Sequence, residues 1–159
     1  MDTLLKLLEK DSLVHPDTLA KILNIKTDEV YRQLQQLKKD KKLLAFKAIL
    51  SEDVKKDEKV EAIIEVRLTP ERDGGFNHLA ERISKFDEVT SCYLVSGGYD
   101  LLVFVEGRSL QQVALFVSEK LSTLGGVLST STHFRLKTYK EHGVMMHIEL
   151  DEERPAVSP

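Results

Sequence analysis

Tryptophan is absent and cysteine occurs once, at Cys92. A lone cysteine excludes a disulfide within the chain, so folding must rest on a buried apolar core. Cys92 lies in a run of β-branched and aromatic residues and reads as a small core residue rather than a reactive thiol. No stretch reaches the roughly 18 apolar residues of a membrane helix. The segment Met1-Asp2-Thr3-Leu4 lacks the basic start and apolar run of an export signal. The expectation is a cytoplasmic protein with no membrane partner. Catalytic signatures are missing too: there is no Gly-rich phosphate loop, nucleophile elbow or paired-carboxylate arrangement. His142 and His147 lack metal spacing with any cysteine or carboxylate pair, so neither a metal site nor a cofactor is expected. His78, on a predicted helix, and His15, beside Pro16, read as surface residues.

What is present is ordinary in amount and uneven in placement. The 159 residues are 42% apolar and 31% charged, enough for one globular domain or two small ones. Residues 1–50 carry ten Lys/Arg against seven Asp/Glu, a net of +3, and residues 51–159 carry thirteen against nineteen, a net of −6. This asymmetry predicts two modules, with any polyanion meeting the first.

Residues 3–9 place Leu4, Leu5, Leu7 and Leu8 at helical spacing, and Asp11-Ser12 breaks that helix. Pro16 suits the first turn of a second helix, where its missing N–H costs nothing. Leu19, Ala20 and Leu23 form its apolar stripe, and Asn24 suits a left-handed turn. Thr27 is expected to cap a third helix, with Asp28 and Glu29 near its positive end. Val30, Leu34 and Leu37 face inward at i, i+4 and i+7. Three short helices with a tight turn between the last two describe a helix-turn-helix over residues 1–42. The outward set is Lys26, Thr27, Asp28, Tyr31, Arg32, Gln35 and Gln36, and Arg and Gln can grip guanine and adenine edges. Lys38, Lys39, Lys41 and Lys42 would hold phosphates and fix register. The competing reading is a small protein-contact module with a solvated basic face. Asp28 and Glu29 would sit close to phosphates.

Residues 43–50 form a short apolar run that reads as a connecting strand, and the charged residues 51–59 make a linker. The second module, 60–140, opens with strict alternation from Val60 to Leu68, the period of a strand with one face on a core. Pro70 and Gly74-Gly75 end it, and Phe76, Leu79, Ala80, Ile83 and Phe86 follow at helical spacing. Residues 89–105 then present two strand-like runs around Ser96-Gly97-Gly98, a hairpin signal. Val103, Phe104 and Val105 suggest a central strand covered on both faces. Asp100, just after the turn, must find water, a donor or a ligand.

Ser109-Leu110-Gln111-Gln112 matches a capping box. Its helix carries Leu110, Val113, Ala114, Val117, Leu121 and Leu124, and Gly125-Gly126 ends it. Residues 127–139 read as a long strand with Leu128, Thr130, Thr132, Phe134 and Leu136 on one side. Strand, helix, strand, strand, helix, strand is the ferredoxin-like βαββαβ order, so the fold class is α+β. Both helices then share one sheet face. Ile63, Tyr93 or Leu94, Leu102, Phe104 and Phe134 supply apolar groups for the two faces, and a bare apolar face is usually closed by a second copy. In the tail, 141–159, an apolar patch at 144–148 suggests an edge strand, and 151–159 is expected to fray.

This arrangement resembles the Lrp/AsnC (feast/famine) regulator family, over roughly residues 4–140. Tyr93-Leu94-Val95-Ser96-Gly97-Gly98-Tyr99-Asp100-Leu101-Leu102 is similar to the family's strand–(Thr/Ser)-Gly-x-x-Asp–strand signature. Gly126-Val127-x-x-Thr130-x-Thr132 is similar to its last-strand pattern. The resemblance implies a winged-helix-like DNA-binding domain and a dimeric α+β barrel. It also implies a transcription regulator of double-stranded promoter DNA that assembles as a homodimer, tetramer or octamer. An amino-acid effector would meet Ser96, Gly97, Gly98, Tyr99 and Asp100, with Thr130 and Thr132 adding hydroxyls. Asp100 would take the α-amino group and the Gly turn's N–H groups the α-carboxylate. The sequence departs from the family at Asn24 and Lys42, where Gly is common, and at Gln33, where Arg is frequent beside what is here Arg32.

The expectation is therefore a regulator and not an enzyme. Two alternatives stand beside it. Family-like proteins with a degenerate helix-turn-helix act as haem-precursor decarboxylases, and such chemistry would draw on His133, Arg135, Tyr139 and His142. The third reading is a partner subunit that oligomerises without touching DNA.

Overall fold

The computed structural model describes residues 2–51, 54, 59–70 and 76–146. The chain divides into two compact units, residues 1–49 and 50–159.

The first unit is helical: α1 (Asp2–Lys10), α2 (Pro16–Leu23) and α3 (Thr27–Lys39). Its core is Leu4, Leu8, Leu19, Ala20, Val30 and Leu37, with Leu34 and Leu23 packed at the margin. His15 caps α2 through Nδ1, which accepts the Asp17 N–H at 3.3 Å. Asn24 closes the helix at φ 53°, as its type predicts, and the Ile25 N–H returns to the Ala20 carbonyl at 3.0 Å. Thr27 departs from expectation. It is the first helical residue of α3 rather than its cap, and its hydroxyl donates to Asp17 Oδ1 at 2.7 Å. The hydroxyl thus ties α3 to α2, and no side chain caps the start of α3. At the other end Lys41 takes φ 55° while the Lys42 N–H reaches back to the Leu37 carbonyl at 2.9 Å. This is a Schellman closure with lysine where glycine is preferred.

The expected connecting strand over 43–50 does not form: residues 44–50 pair with no strand among the described residues. A strand needs a partner for its N–H and C=O groups, and none stands beside this segment among the described residues. Most of the expected linker, Gly74-Gly75, His147-Ile148 and the tail 151–159 lie outside the described residues.

The second unit holds β1 (Val60–Leu68), α4 (Asn77–Ile83), β2 (Val89–Leu94), β3 (Leu101–Gly107), α5 (Leu110–Leu115) and β4 (Val127–Phe134). The strands lie in the order β2-β3-β1-β4, all antiparallel. Ile64 stands opposite Val103 and Thr132, and directly opposed residues share a face. One face therefore presents Ala62, Ile64 and Val66 with Leu101, Val103 and Val105, all buried against Leu79, Ile83, Val113 and Phe116. The other carries Glu61, Ile63, Glu65 and Arg67 on β1, Leu102 and Phe104 on β3, Tyr93 on β2, and Ser131 and His133 on β4. Within the described residues β3 is thus buried on one face only, its other face being half-buried. Phe134, opposite Ala62, belongs to the helix side.

The capping box forms: Ser109 Oγ accepts the Gln112 N–H at 3.1 Å. Gln112 reaches back one residue further than predicted, accepting the Arg108 N–H at 2.7 Å. Beyond α5 the helix widens into a π-helical turn, Phe116–Leu121, with the Ser122 N–H bonded to the Val117 carbonyl at 2.8 Å. That widening turns Phe116 and Leu121 inward together, while Leu110, at the start of α5, is exposed. β4 stops at Phe134 rather than Tyr139, and the last bond runs from the Arg135 N–H to the Glu61 carbonyl; β1 begins at Val60, in line with residue 136, so residues 137–139 would have nothing on it to pair with. The tail patch is not an edge strand of this sheet. It forms half of a small hairpin, β5 (Lys140–Glu141) and β6 (Val144–Met145), around His142 at φ 46° and Gly143 at φ 87°. Among the described residues no helix is long and apolar enough to cross a membrane.

Candidate nucleic-acid interface and effector loop

α3 buries Val30 and Leu37 and turns Lys26, Asp28, Tyr31, Arg32, Gln35, Gln36, Lys38 and Lys39 outward, with Thr27 half-buried at its start. Lys41 and Lys42 are exposed just beyond its end. The predicted outward set is thus brought to one helix face. Two of its polar tips are already occupied. Arg32 Nη2 meets Glu29 Oε2 at 2.7 Å, and Gln36 Nε2 donates to Asp40 Oδ1 at 2.6 Å. Exposed pairs of this kind are worth about 0–1 kcal/mol, so either tip can be exchanged for a base or phosphate contact at small cost. Glu29 is thus the partner of Arg32 on this face. Lys38 Nζ stands 5.7 Å from the centre of the Phe46 ring. A shallow cleft at the α2–α3 turn is lined by Asp17, Lys21, Asn24, Lys26 and Thr27.

The loop between β2 and β3 spans Val95 to Asp100, longer than a two-glycine turn. The Val95 N–H bonds to the Asp100 carbonyl at 2.9 Å, and Gly97 alone of the two glycines takes positive φ, 153°. The end of β1 holds this loop by three bonds. The Asp100 N–H reaches the Val66 carbonyl at 3.0 Å, Asp100 Oδ2 accepts the Leu68 N–H at 2.7 Å, and Arg67 Nε donates to the Gly98 carbonyl at 2.7 Å. The donor that Asp100 requires is therefore the terminus of its neighbouring strand. Among the described residues, the N–H groups of Ser96, Gly97, Gly98 and Tyr99 have no acceptor. Thr130 and Thr132 sit on the helix side of β4, across β1 from β3, and the Thr130 hydroxyl lies 3.4 Å from that of Ser122. No hydrogen bond joins either threonine to the loop among the described residues. Arg67 escaped sequence reasoning. Its partner lies 31 residues away, and its only local signal is a cation at a strand end.

The open sheet face carries two ionic groups beside its apolar stripe. Arg135 pairs with Glu61 and lies 3.9 Å from Glu141. His133 Nε2 lies 3.4 Å from Glu65 and 3.3 Å from the Ser131 hydroxyl. Both partners meet the same ring nitrogen, whereas a hydrolytic relay uses the two nitrogens for opposite partners. Tyr139 and His142 belong to the tail hairpin segment, where Lys137 Nζ stands 5.1 Å from the Tyr139 ring centre. No cluster of three His, Cys, Asp or Glu suited to a metal occurs among the described residues. Cys92 is half-buried, and burial pushes its thiol up from the ordinary range while a hydrogen bond with Ser84 pulls it down more weakly.

Residues 61–145 match the family model for the Lrp/AsnC ligand binding domain. The chain is 43% identical to the uncharacterized HTH-type transcriptional regulator YugG of Bacillus subtilis, covering 98% of this chain and 95% of YugG. It is 25% identical to the proline dehydrogenase transcriptional activator of Rhizobium radiobacter, over 89% of this chain and 90% of that one. Among solved structures, the fold superimposes on MtbAldR with a TM-score of 0.73 at 18% identity, over 86% and 92% of the two chains. It matches the Neisseria meningitidis regulator NMB0573 in its L-Met complex with a TM-score of 0.65 at 23% identity, over 87% and 88%. A matched ligand-binding domain and a full-length relative, joined to a helix-turn-helix and a ferredoxin-like sheet, place this chain in the Lrp/AsnC family of transcriptional regulators.

Proposed function

We propose that the protein binds double-stranded DNA through α3 as a cytoplasmic homodimer and responds to an amino acid at the Val95–Asp100 loop. The observation that carries the DNA reading is the single exposed face of α3. There Arg32, Gln35 and Gln36 can read base edges, while Lys38, Lys39, Lys41 and Lys42 neutralise phosphates. Two copies would place two such helices on one duplex, as half-sites require. The open sheet face, with Ile63, Leu102, Phe104 and Tyr93, supplies the surface for pairing. Tetramers or octamers would build on that dimer.

Effector chemistry follows from the loop. Four N–H groups without acceptors among the described residues suit a carboxylate, and the Oδ1 oxygen of Asp100 can take an ammonium while Oδ2 stays with Leu68. The L-Met complex of the Neisseria regulator supports an amino acid as the ligand class. Thr130 and Thr132 would enter only by way of a ligand reaching past β1. Regulation, not catalysis, fits this set, because its polar groups bind without presenting a paired acid and base.

Gel shift with the chain's own upstream DNA tests the central claim. Binding should weaken steeply with salt, and Arg32→Ala combined with Lys38→Ala should weaken it by about tenfold to a hundredfold. Binding that is absent at low salt, or indifferent to both substitutions, would favour a partner subunit.

A further inference from the structure

We propose that Arg67 is a positioning residue for the effector loop, holding it in the shape that leaves its N–H groups free. The proposal rests on the effector reading of that loop. Three consecutive β1 residues grip the loop, but Val66 and Leu68 do so with main-chain atoms. Arg67 alone uses a side chain, Nε to the Gly98 carbonyl at 2.7 Å. A donor carrying full charge makes this bond stronger than a neutral one. The guanidinium has no carboxylate partner among the described residues, unlike Arg135, which shares the open face and pairs with Glu61.

The geometry gives the bond a consequence beyond strength. In a trans peptide the C=O and the next N–H point in opposite directions. Turning the Gly98 carbonyl toward Arg67 therefore turns the Tyr99 N–H away from it. Gly97 and Gly98 are the two residues in the loop with the widest conformational choice. Arg67 removes that choice before a ligand arrives, so the ordering cost is not taken from binding.

The test uses the full chain as wild type, Arg67→Ala and Arg67→Lys, with each of the twenty common amino acids as probe. Ligand-free backbone order parameters for Gly97 and Gly98 are measured alongside calorimetric affinity. In Arg67→Ala the two glycines should fall toward the flexible range, below about 0.6. Affinity for whichever amino acids bind the wild type should fall about tenfold, with a nearly unchanged melting temperature. Arg67→Lys should restore part of both. Glycines that stay as rigid in Arg67→Ala as in the wild type would overturn the proposal. Affinity lost with the loop still rigid would also overturn it, since Arg67 would then be a direct contact. Glycines that loosen in a chain binding none of the twenty would sink the amino-acid reading and uphold Arg67 as the loop's anchor.

Discussion

The two units solve the problem of apolar surface differently. In the helical unit Leu4, Leu19, Val30 and Leu37 meet one another, and what faces out from α3 is polar. In the sheet unit the helices cover one side, and the other keeps Ile63, Leu102 and Phe104 beside two ionic groups. The first unit buries its helix stripes against one another, and on the proposed reading its outer face meets a polyanion. In the second, the outer sheet face is only half-buried, and on the proposed reading a second copy covers it. On the function proposed above, that contrast gives recognition of DNA to one unit and assembly to the other.

The largest expected effect breaks that contrast at the sheet. Phe104→Glu puts a carboxylate in the middle of the open apolar stripe, and a paired face would have to bury it. Self-association should weaken by about a hundredfold or more, read by sedimentation across a dilution series, with the monomer still folded. Unchanged association would move the interface elsewhere.

A smaller effect separates the covered side. Lys120 Nζ meets Glu88 Oε1 at 2.5 Å, and this hydrogen bond holds the Glu88 carboxyl below the usual glutamate range against the opposing pull of burial. A carboxyl lowered on folding stabilises above its unfolded value, near about 4.3, and loses that contribution as pH falls through its folded value. Thermal melts from pH 7 down to pH 3 should therefore converge for wild type and Glu88→Gln at the acid end and diverge above it. Parallel curves would mean the pair adds nothing to stability.

The smallest effect sharpens the helical half. Lys41 occupies a left-handed position, φ 55°, so Lys41→Gly should stabilise the end of α3 by about 0.5–1 kcal/mol in denaturant titration. The same change should lower the salt slope of DNA binding by about one phosphate contact. A slope that does not move would place Lys41 outside the interface.

Legibility followed distance along the chain. Asn24, the Ser109 cap and the β1 alternation depend on residues a few positions apart, and each forms where the pattern puts it. The Arg67–Gly98 and Asp100–Leu68 contacts join residues 31 and 32 apart, and no periodicity announces them. The π-helical turn after α5 was hidden because helical spacing assumes one constant pitch, so Phe116 was missed. Thr27 has the chemistry of a cap, but Asp17 on the neighbouring helix takes its hydroxyl. Residues 43–50 have strand composition without a strand to pair with. In the Val95–Asp100 loop the types were legible while the geometry was not, since the distribution of Asp100's oxygens depends on where β1 ends.

The alternation along β1 has one more consequence. Glu61, Glu65 and Arg67 occupy every odd position but Ile63 in this stretch, and their even neighbours are aliphatic. Sliding the strand by a single residue against β3 would drive two carboxylates and a guanidinium beneath the helices. Such a mispaired molecule would be strongly disfavoured, so the charges proofread the threading of the sheet, and a one-residue insertion between Val60 and Val66 should be tolerated far less well than one at Arg67–Leu68, where the pairing with β4 already shifts register.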